Sequence, residues 1–305
     1  MRLGMIGLGR MGGNMVRRLR IGGIEVTGLD HDLKAAGRLA AETGMSAAES
    51  VDDLLKQLPA PRAVWLMLPA GDVTEQYVST LEDKLAPGDV LIDGGNAHFK
   101  DSLRRGAALG ERGIEFVDAG VSGGVWGLEE GYALMVGGST AAVAAVEPVL
   151  RILAPAPDRG WLHCGPVGSG HYVKMVHNGI EYGLMQAYAE GFALLKSRTD
   201  FDLDLAAIAE MWRHGSVVRS WLLDLTAGFL AKDQTLDGIA PYVVDSGEGR
   251  WTAIEAIERG VPAPIMSTAL MMRFVSQGQL DYGAKMLSMM RNSFGGHAVK
   301  KTGGQ

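Results

Sequence analysis

Cysteine is nearly absent from this chain: Cys164 is the only one in 305 residues. That excludes an internal disulfide and points to a reducing, cytoplasmic setting. Cys164 itself is expected as a small buried apolar residue rather than a nucleophile. Membrane-length apolar runs are also missing, and the N-terminus, MRLGMIGLG, enters a strand and a turn at once. Neither a membrane span nor a signal peptide is therefore expected. Positive charge is in deficit: 29 Lys and Arg stand against 35 Asp and Glu, for a net charge of −6. No nucleic-acid partner is expected on that balance, and an anionic substrate would need a local cluster of Arg or Lys. His, Cys and Asp show no metal-ligand spacing, and Gly-Gly pairs recur without a fixed period, so neither a metal nor a structural repeat is expected.

What the chain does have is apolar residues, at 47%, and length enough for two domains or one large one. The first half alternates. LGMIGLGRMGGNMVRRL reads as strand, glycine turn and helix, with Gly7, Gly9 and Gly12 matching G-x-G-x-x-G. Those glycines would give the tight turn, the close approach to a pyrophosphate and the helix–strand packing. Leu8, Arg10 and Met11 complete that cofactor turn. A second strand, IEVTGLD, ends at Asp30, near the offset of about 20 residues at which an acid meets a ribose 2′-hydroxyl. His31 and Asp32 come next, with no Arg to hold a 2′-phosphate, so NAD is expected over NADP. The plain alternative is that Asp30 caps the next helix.

Further strands are expected at AVWLMLP, DVLIDGG, EFVDAGVSGG and ALMVGG. The fold class is therefore an α/β, Rossmann-type doubly wound sheet over residues 1–164, binding ligands beyond its carboxyl edge. Three strand ends carry polar or glycine punctuation there: Leu68-Pro69-Ala70, Gly94-Gly95-Asn96 and Ser122-Gly123-Gly124. Asn96 could orient a nicotinamide or a substrate hydroxyl, and Ser122 with the N–H groups after it could hold a carboxylate.

CGPVGSG reads as a hinge, after which residues 165–305 form an all-α substrate-binding and oligomerisation domain with a C-terminal tail. The helix expected to begin near Gly170 contains KMVHNGIEYG. Lys174, His177, Asn178 and Glu181 fall at i, i+3, i+4 and i+7, on one helical face. The same face continues as Met185, Tyr188, Phe192 and Leu195, so the helix reads as buried for most of its length, with a polar patch near its start. A buried lysine can act as a base, and a buried carboxyl as an acid. A solvated face is the plain alternative. Further helices are expected at LAAIAEMWRH, RSWLLDLTAGFLA, WTAIEAIERG and PAPIMSTALMMRFVS, with DSGEGRWT as a loop. The methionines of LMMRF and MLSMMR read as helix core. An apolar helix expected to end at Met290 leads into a Gly-rich basic tail. So many apolar helices suggest a homodimer or homotetramer.

Taken together, GLGRMG, DGGN, GVSGG, KMVHNGIEYG, GRWTAIEAIERGVP and RNSFGGH resemble the 6-phosphogluconate dehydrogenases, the decarboxylating branch of the β-hydroxyacid dehydrogenases. The resemblance implies oxidative decarboxylation of 6-phosphogluconate to ribulose 5-phosphate and carbon dioxide. Lys174 would be the general base and Glu181 the acid that protonates C1 of the enediol. His177 and Asn178 would hold substrate hydroxyls, Asn96 would sit between substrate and nicotinamide, and Ser122, Gly123 and Gly124 would receive the carboxylate. Tyr182, Arg273 and, from a neighbouring subunit, Arg291 and His297 would hold the phosphate. The chain departs from the longer, NADP-specific pattern at Asp30 and in the short loop before GRWT, where Glu248 stands in place of a lysine-bearing segment. Two rivals share the scaffold: another β-hydroxyacid dehydrogenase or imine reductase, which needs neither Glu181 nor the Arg273/Arg291 pair, and a non-catalytic NAD-binding regulator, which would tolerate loss of Lys174 or Glu181, both of which are present.

Overall fold

The structure is a computed structural model describing residues 1–295 and 298–300. The chain divides into two compact units, Met1–His177 and Asn178–Gln305. In the first, the elements run β1 (Arg2–Ile6), α1 (Arg10–Ile21), β2 (Glu25–Leu29), α2 (Leu33–Thr43), β3 (Ser46–Ala47), α3 (Val51–Lys56), β4 (Ala63–Leu66) and α4 (Asp72–Glu82). They continue as β5 (Val90–Asp93), α5 (Phe99–Glu111), β6 (Glu115–Ser122), α6 (Gly127–Glu130), β7 (Ala133–Gly138), α7 (Thr140–Leu153), β8 (Trp161–Gly165) and α8 (Ser169–Ser197). Among the described residues the strands form one sheet of eight, ordered β3-β2-β1-β4-β5-β6-β7-β8.

The sheet is parallel except between β6 and β7, which pair antiparallel with Ser122 opposite Ala133. A parallel step needs a long crossover, and here the connection carries only the four-residue α6 besides a short 3₁₀ turn. Every residue of β4 and of β5 is buried, as strands covered on both faces require. Alternation sorts the core into two layers. Leu3, Met5, Val26, Trp65 and Ile92 pack with Met15, Leu19, Val146 and Leu150 on one face. Ile6, Leu29, Val64, Leu66 and Leu91 pack with Leu54, Val78 and Leu109 on the other. The strand order reverses between β1 and β4, so their C-terminal turns flank the switch-point crevice of this topology.

The hinge is shorter than its sequence suggests. CG belongs to β8, the last strand of the sheet, and only residues 166–168 link it to α8. Cys164 is accordingly half-buried on a strand, and burial pushes its thiol up from the ordinary value.

The second unit holds the C-terminal part of α8, then α9 (Leu205–Trp212), α10 (Trp221–Leu230), α11 (Glu248–Glu258), α12 (Pro264–Ser276) and α13 (Asp281–Gly295). It has two small cores. One gathers Leu205, Ala209, Leu223, Ala227 and Leu230 against Tyr188, Phe192 and Leu195; the other gathers Tyr182, Ala253, Ala269 and Leu270.

Three expectations change here. GEGRWT is not all loop: Gly247, at φ +108°, turns the chain and α11 starts at Glu248, an acid well placed against the helix dipole. The last helix does not stop at Met290 but runs on through Arg291 to Gly295. The methionines are not core in the single chain, since Met271, Met286, Met289 and Met290 are each 40% exposed or more. On α8 beyond Gly183 the face carrying Tyr188, Phe192 and Leu195 packs into the first of these cores as expected, while Met185 on that face and Leu184 and Leu194 beside it are exposed. The helical periodicity is present, but one copy of the chain supplies too little surface to cover it.

Candidate active site

The cofactor turn is shaped by sterics. Gly7 has φ +92°, and a Cβ there would stand 2.4 Å from the Met67 carbonyl oxygen; one at Gly12 would stand 1.9 Å from the Gly7 carbonyl oxygen. Only glycine allows β1 to turn this tightly into α1. Gly9 is different: a Cβ there would meet nothing within 4 Å. It is the N-cap of the 12-residue α1, with no side-chain cap and no acid in the first turn. The first-turn N–H groups of a helix without a side-chain cap suit a pyrophosphate, and the bare Gly9 leaves room for its approach. Leu8 is buried, Met11 half-buried and Arg10 exposed beside them.

Asp30 directly follows β2 and is 8% exposed. Its Oδ2 accepts from the Leu8 N–H at 2.6 Å, and its Oδ1 accepts from the Asp32 N–H at 2.9 Å and lies 2.9 Å from His31 Nδ1. The cap of α2 is instead Asp32, which accepts from the Lys34 and Ala35 N–H groups. Asp30 is thus bound to the glycine turn itself, and its capping alternative falls away.

The other loops on this edge are held by a network that motif reading missed. Arg105 is buried on α5. It donates to Asp93 Oδ2 at 2.6 Å and to Glu75 on α4, and the side chains of Arg105 and Asp93 are each 1% exposed. Asp93 Oδ1 accepts from the Gly95 N–H at 3.1 Å. A Cβ on Gly95 would come within 2.7 Å of the Leu68 carbonyl oxygen. Thr74 closes the first loop by donating to the Pro69 carbonyl at 2.8 Å. Burial works to raise the Glu75 carboxyl, but hydrogen bonds from Arg104 and Arg105 outweigh it and hold the group below the usual range. The loops carrying Leu68-Pro69-Ala70 and Gly94-Gly95-Asn96 are therefore tied to each other, with Pro69, Ala70 and Asn96 exposed. The available signal was an acid ending a strand just before Gly-Gly, with an arginine on the next helix.

A second network seats the start of α8. Asp118, fully buried on β6, accepts from the Gly168 N–H at 2.6 Å and the His171 N–H at 2.8 Å. Gly170 presses so close that a Cβ would lie 2.4 Å from the Asp118 carbonyl oxygen, and a Cβ on Gly120 would lie 2.3 Å from Lys174 Cβ. Lys174 is consequently only 7% exposed. Its Nζ is 3.5 Å from His177 Nδ1, and His177 Nε2 is 3.5 Å from Ser122 Oγ. The strand end at Ser122 and the helix residues Lys174 and His177, far apart in sequence, thus meet in the sheet unit. Gly123 and Gly124, at φ +138° and +52°, turn the backbone away after Ser122.

The division between units falls inside α8, after His177. In the helical unit Asn178 and Tyr182 are buried and Glu181 is half-buried. The Tyr182 ring lies over Gly249, where a Cβ would clash at 2.3 Å, and the Arg273 guanidinium stacks on the ring at 3.4 Å from its centroid. Arg273 also donates to the Val244 carbonyl at 2.7 Å. Arg291 is exposed on α13, whose residues 281–290 are all exposed. His297 lies outside the described residues.

Residues 2–165 match the family described as the NAD binding domain of 6-phosphogluconate dehydrogenase, and residues 170–282 match the 6-phosphogluconate dehydrogenase C-terminal domain. The chain belongs to the 6-phosphogluconate dehydrogenase family. It is 42% identical over 302 residues to the NAD(+)-dependent, decarboxylating 6-phosphogluconate dehydrogenase of Haloferax volcanii, covering 99% of each chain. With the decarboxylating 6-phosphogluconate dehydrogenase of Haemophilus ducreyi it shares 36% over 287 residues, 90% of this chain but 59% of that one. Among solved structures, that of Plasmodium falciparum 6-phosphogluconate dehydrogenase, studied in apo, NADP+ and 6-phosphogluconate forms, matches with TM-score 0.83 and 29% identity, over 100% of this chain and 67% of that one.

Proposed function

We infer that this protein oxidises and decarboxylates 6-phosphogluconate to ribulose 5-phosphate and carbon dioxide, with NAD as the preferred acceptor. The observation that carries the reading is the pairing of a glycine turn braced by Asp30 with a buried lysine, Lys174, in one family-matched chain. NAD bound on the glycine turn supplies the hydride acceptor. Gly7 to Gly12 and the N-terminus of α1 hold its pyrophosphate, and Asp30 accepts from the ribose hydroxyls. Leu68 to Ala70 and Asn96 border the nicotinamide end. A 2′-phosphate would meet the Asp30 carboxylate without a guanidinium partner, which favours NAD.

Lys174 takes the proton from the C3 hydroxyl as the C3 hydride departs. It then returns a proton to the carbonyl oxygen as the C1 carboxylate leaves as carbon dioxide, producing the enediol. Glu181, seven residues along the same helix, protonates the carbon that bore the carboxylate, which becomes C1 of ribulose 5-phosphate. Ser122, Gly123 and Gly124 bind the carboxylate, and His177 and Asn178 bind hydroxyls. Tyr182 and Arg273 take the phosphate, with Arg291 and His297 donated by a second copy of the chain. The apolar exposure of α8, α12 and α13 supports such an assembly. A cytoplasmic enzyme fits the single cysteine. The test is a steady-state assay of 6-phosphogluconate with NAD and NADP in parallel, carbon dioxide release being monitored and gluconate serving as the unphosphorylated control. Turnover without carbon dioxide would overturn the reading.

A further inference from the structure

The cluster around Tyr182 has a direction. Ser246 Oγ donates to Glu248 Oε2 at 2.6 Å, and the Tyr182 hydroxyl is 3.3 Å from the same Ser246 Oγ. A serine hydroxyl has one hydrogen, and here the carboxylate has claimed it. The Tyr182 O–H must therefore donate to Ser246 rather than accept from it. The phenolic oxygen is left with lone pairs to offer and no hydrogen. Glu248 is 6% exposed, is the first residue of α11 and is favoured there by the helix dipole, so the relay has a fixed acceptor at its end.

We propose that Ser246 and Glu248 make the Tyr182 hydroxyl a hydrogen-bond acceptor, so that this cluster selects the singly protonated, monoanionic form of the substrate's phosphate. The inference rests on the assignment of Tyr182 and Arg273 to the phosphate end. A phosphate monoanion carries one P–OH, which donates to Tyr182, while its unprotonated oxygens accept from Arg273. A dianion would bring lone pairs against lone pairs, a repulsive contact in a partly buried place. The other charged groups near the relay are Glu181 on α8, and Arg250 with Asp245, which bind each other at 2.6 Å. Farther along α11, Glu255 is paired with Arg259. Asp245 neutralises Arg250, so Arg273 is the cation in direct contact with the Tyr182 ring. The segment leading into α11 thus acts through hydrogen-bond polarity rather than charge.

Inorganic phosphate and sulfate separate the possibilities, because sulfate stays a proton-free dianion while phosphate loses its second proton near pH 6 to 7, where phosphate monoesters do so at about 6. The affinity of each anion for the full-length enzyme is read from thermal-shift titrations at pH 5.5 and pH 8, and the KM for 6-phosphogluconate is measured over the same range. A hydrogen bond to a charged group corresponds to about tenfold in affinity. Phosphate is expected to bind about tenfold more tightly than sulfate at pH 5.5, with the gap closing at pH 8, and KM should rise with pH. Ser246→Ala frees the Tyr182 hydrogen and should abolish the gap; Tyr182→Phe, which keeps the ring under Arg273, should do the same. Equal binding of the two anions by the unaltered enzyme at pH 5.5, or an undiminished gap in Ser246→Ala, overturns the relay. Because the titrations need no turnover, an enzyme that selects phosphate but does not oxidise 6-phosphogluconate would sink the functional reading and leave the relay standing.

Discussion

The two units solve the problem of burial differently. The sheet unit covers both faces of its strands, and residues such as Leu3, Trp65, Leu91 and Val146 are wholly inaccessible. The helical unit has two small cores, and large apolar side chains such as Leu194, Leu287 and Met290 are more than half exposed. A sheet layered by helices closes on itself, whereas helices apolar on more than one face need another surface. The proposed roles divide along much the same line. Lys174, Asp30 and the cofactor turn belong to the sheet unit, and Glu181, Tyr182, Arg273 and Arg291 to the helical one. Damage to the first should alter hydride transfer or cofactor use; damage to the second, Glu181 apart, should alter the hold on substrate.

The sharpest test is Lys174→Met. Loss of one proton-transfer group should cost at least about 10²-fold in kcat. NAD binding, measured by fluorescence titration, should be retained, and activity within a few-fold of the unaltered enzyme would remove Lys174 from the mechanism. Next in size is truncation after Met290, which takes Arg291 and the tail from the helical unit. KM for 6-phosphogluconate should rise by about two orders of magnitude, the loss of a charge-assisted contact or two, with NAD affinity little changed. Mixing that chain with the Lys174→Met chain should restore some activity, because a hybrid dimer holds one site with an intact lysine and a donated tail. Confirmed hybrids without activity would place the tail in its own subunit or outside the site.

Cofactor choice gives a smaller effect. Asp30→Ser with His31→Arg should move the NADP-to-NAD ratio of kcat/KM by about tenfold or more, as one guanidinium–phosphate contact warrants; an unchanged ratio would confine Asp30 to bracing the glycine turn. The burial contrast itself is tested by Leu91→Ala against Leu287→Ala. The first should cost about 2–5 kcal/mol at any protein concentration. The second should lower stability only through assembly, so that its effect fades when the protein is diluted. Smallest is Glu75→Gln. The carboxyl is held below its ordinary value by Arg104 and Arg105, so its contribution is present at neutral pH and lost as pH falls through the depressed value. Glu75 is about a third exposed, so the loss at pH 7 should be about 1 kcal/mol or less, and it should vanish in acid. A deficit constant with pH would mean the pair is not what matters there.

Much of the sheet unit is legible in the sequence. Strands β1, β2, β4, β5, β6 and β7 each coincide with an apolar run ending in glycine, proline or a polar residue. The strand β8 is hidden because WLHCG is half-exposed and merges with Pro-Gly punctuation. The short β3 offers too few residues for any pattern. In the helical unit the periodicity identifies the helices but not which faces a single chain can cover, and for that reason the pattern alone places the methionines of α12 and α13 inside.

By itself the sequence determined the features that arise from local backbone sterics and side-chain period. It specified a turn that tolerates only glycine at Gly7 and Gly12, a doubly wound order of elements, and a helix face bearing Lys174, His177, Asn178 and Glu181. Tertiary structure decided the features that depend on groups distant along the chain. Asp118 receives the start of α8, and Gly120 lets the helix settle until Lys174 is buried against β6. Arg105 binds Asp93 and Glu75 and so joins two loops from different strands. Asp32, not Asp30, caps α2, leaving Asp30 to the glycine turn. Nearly all of these are hydrogen bonds or close contacts between segments that meet only when the sheet has formed, and no spacing along the chain encodes the meeting.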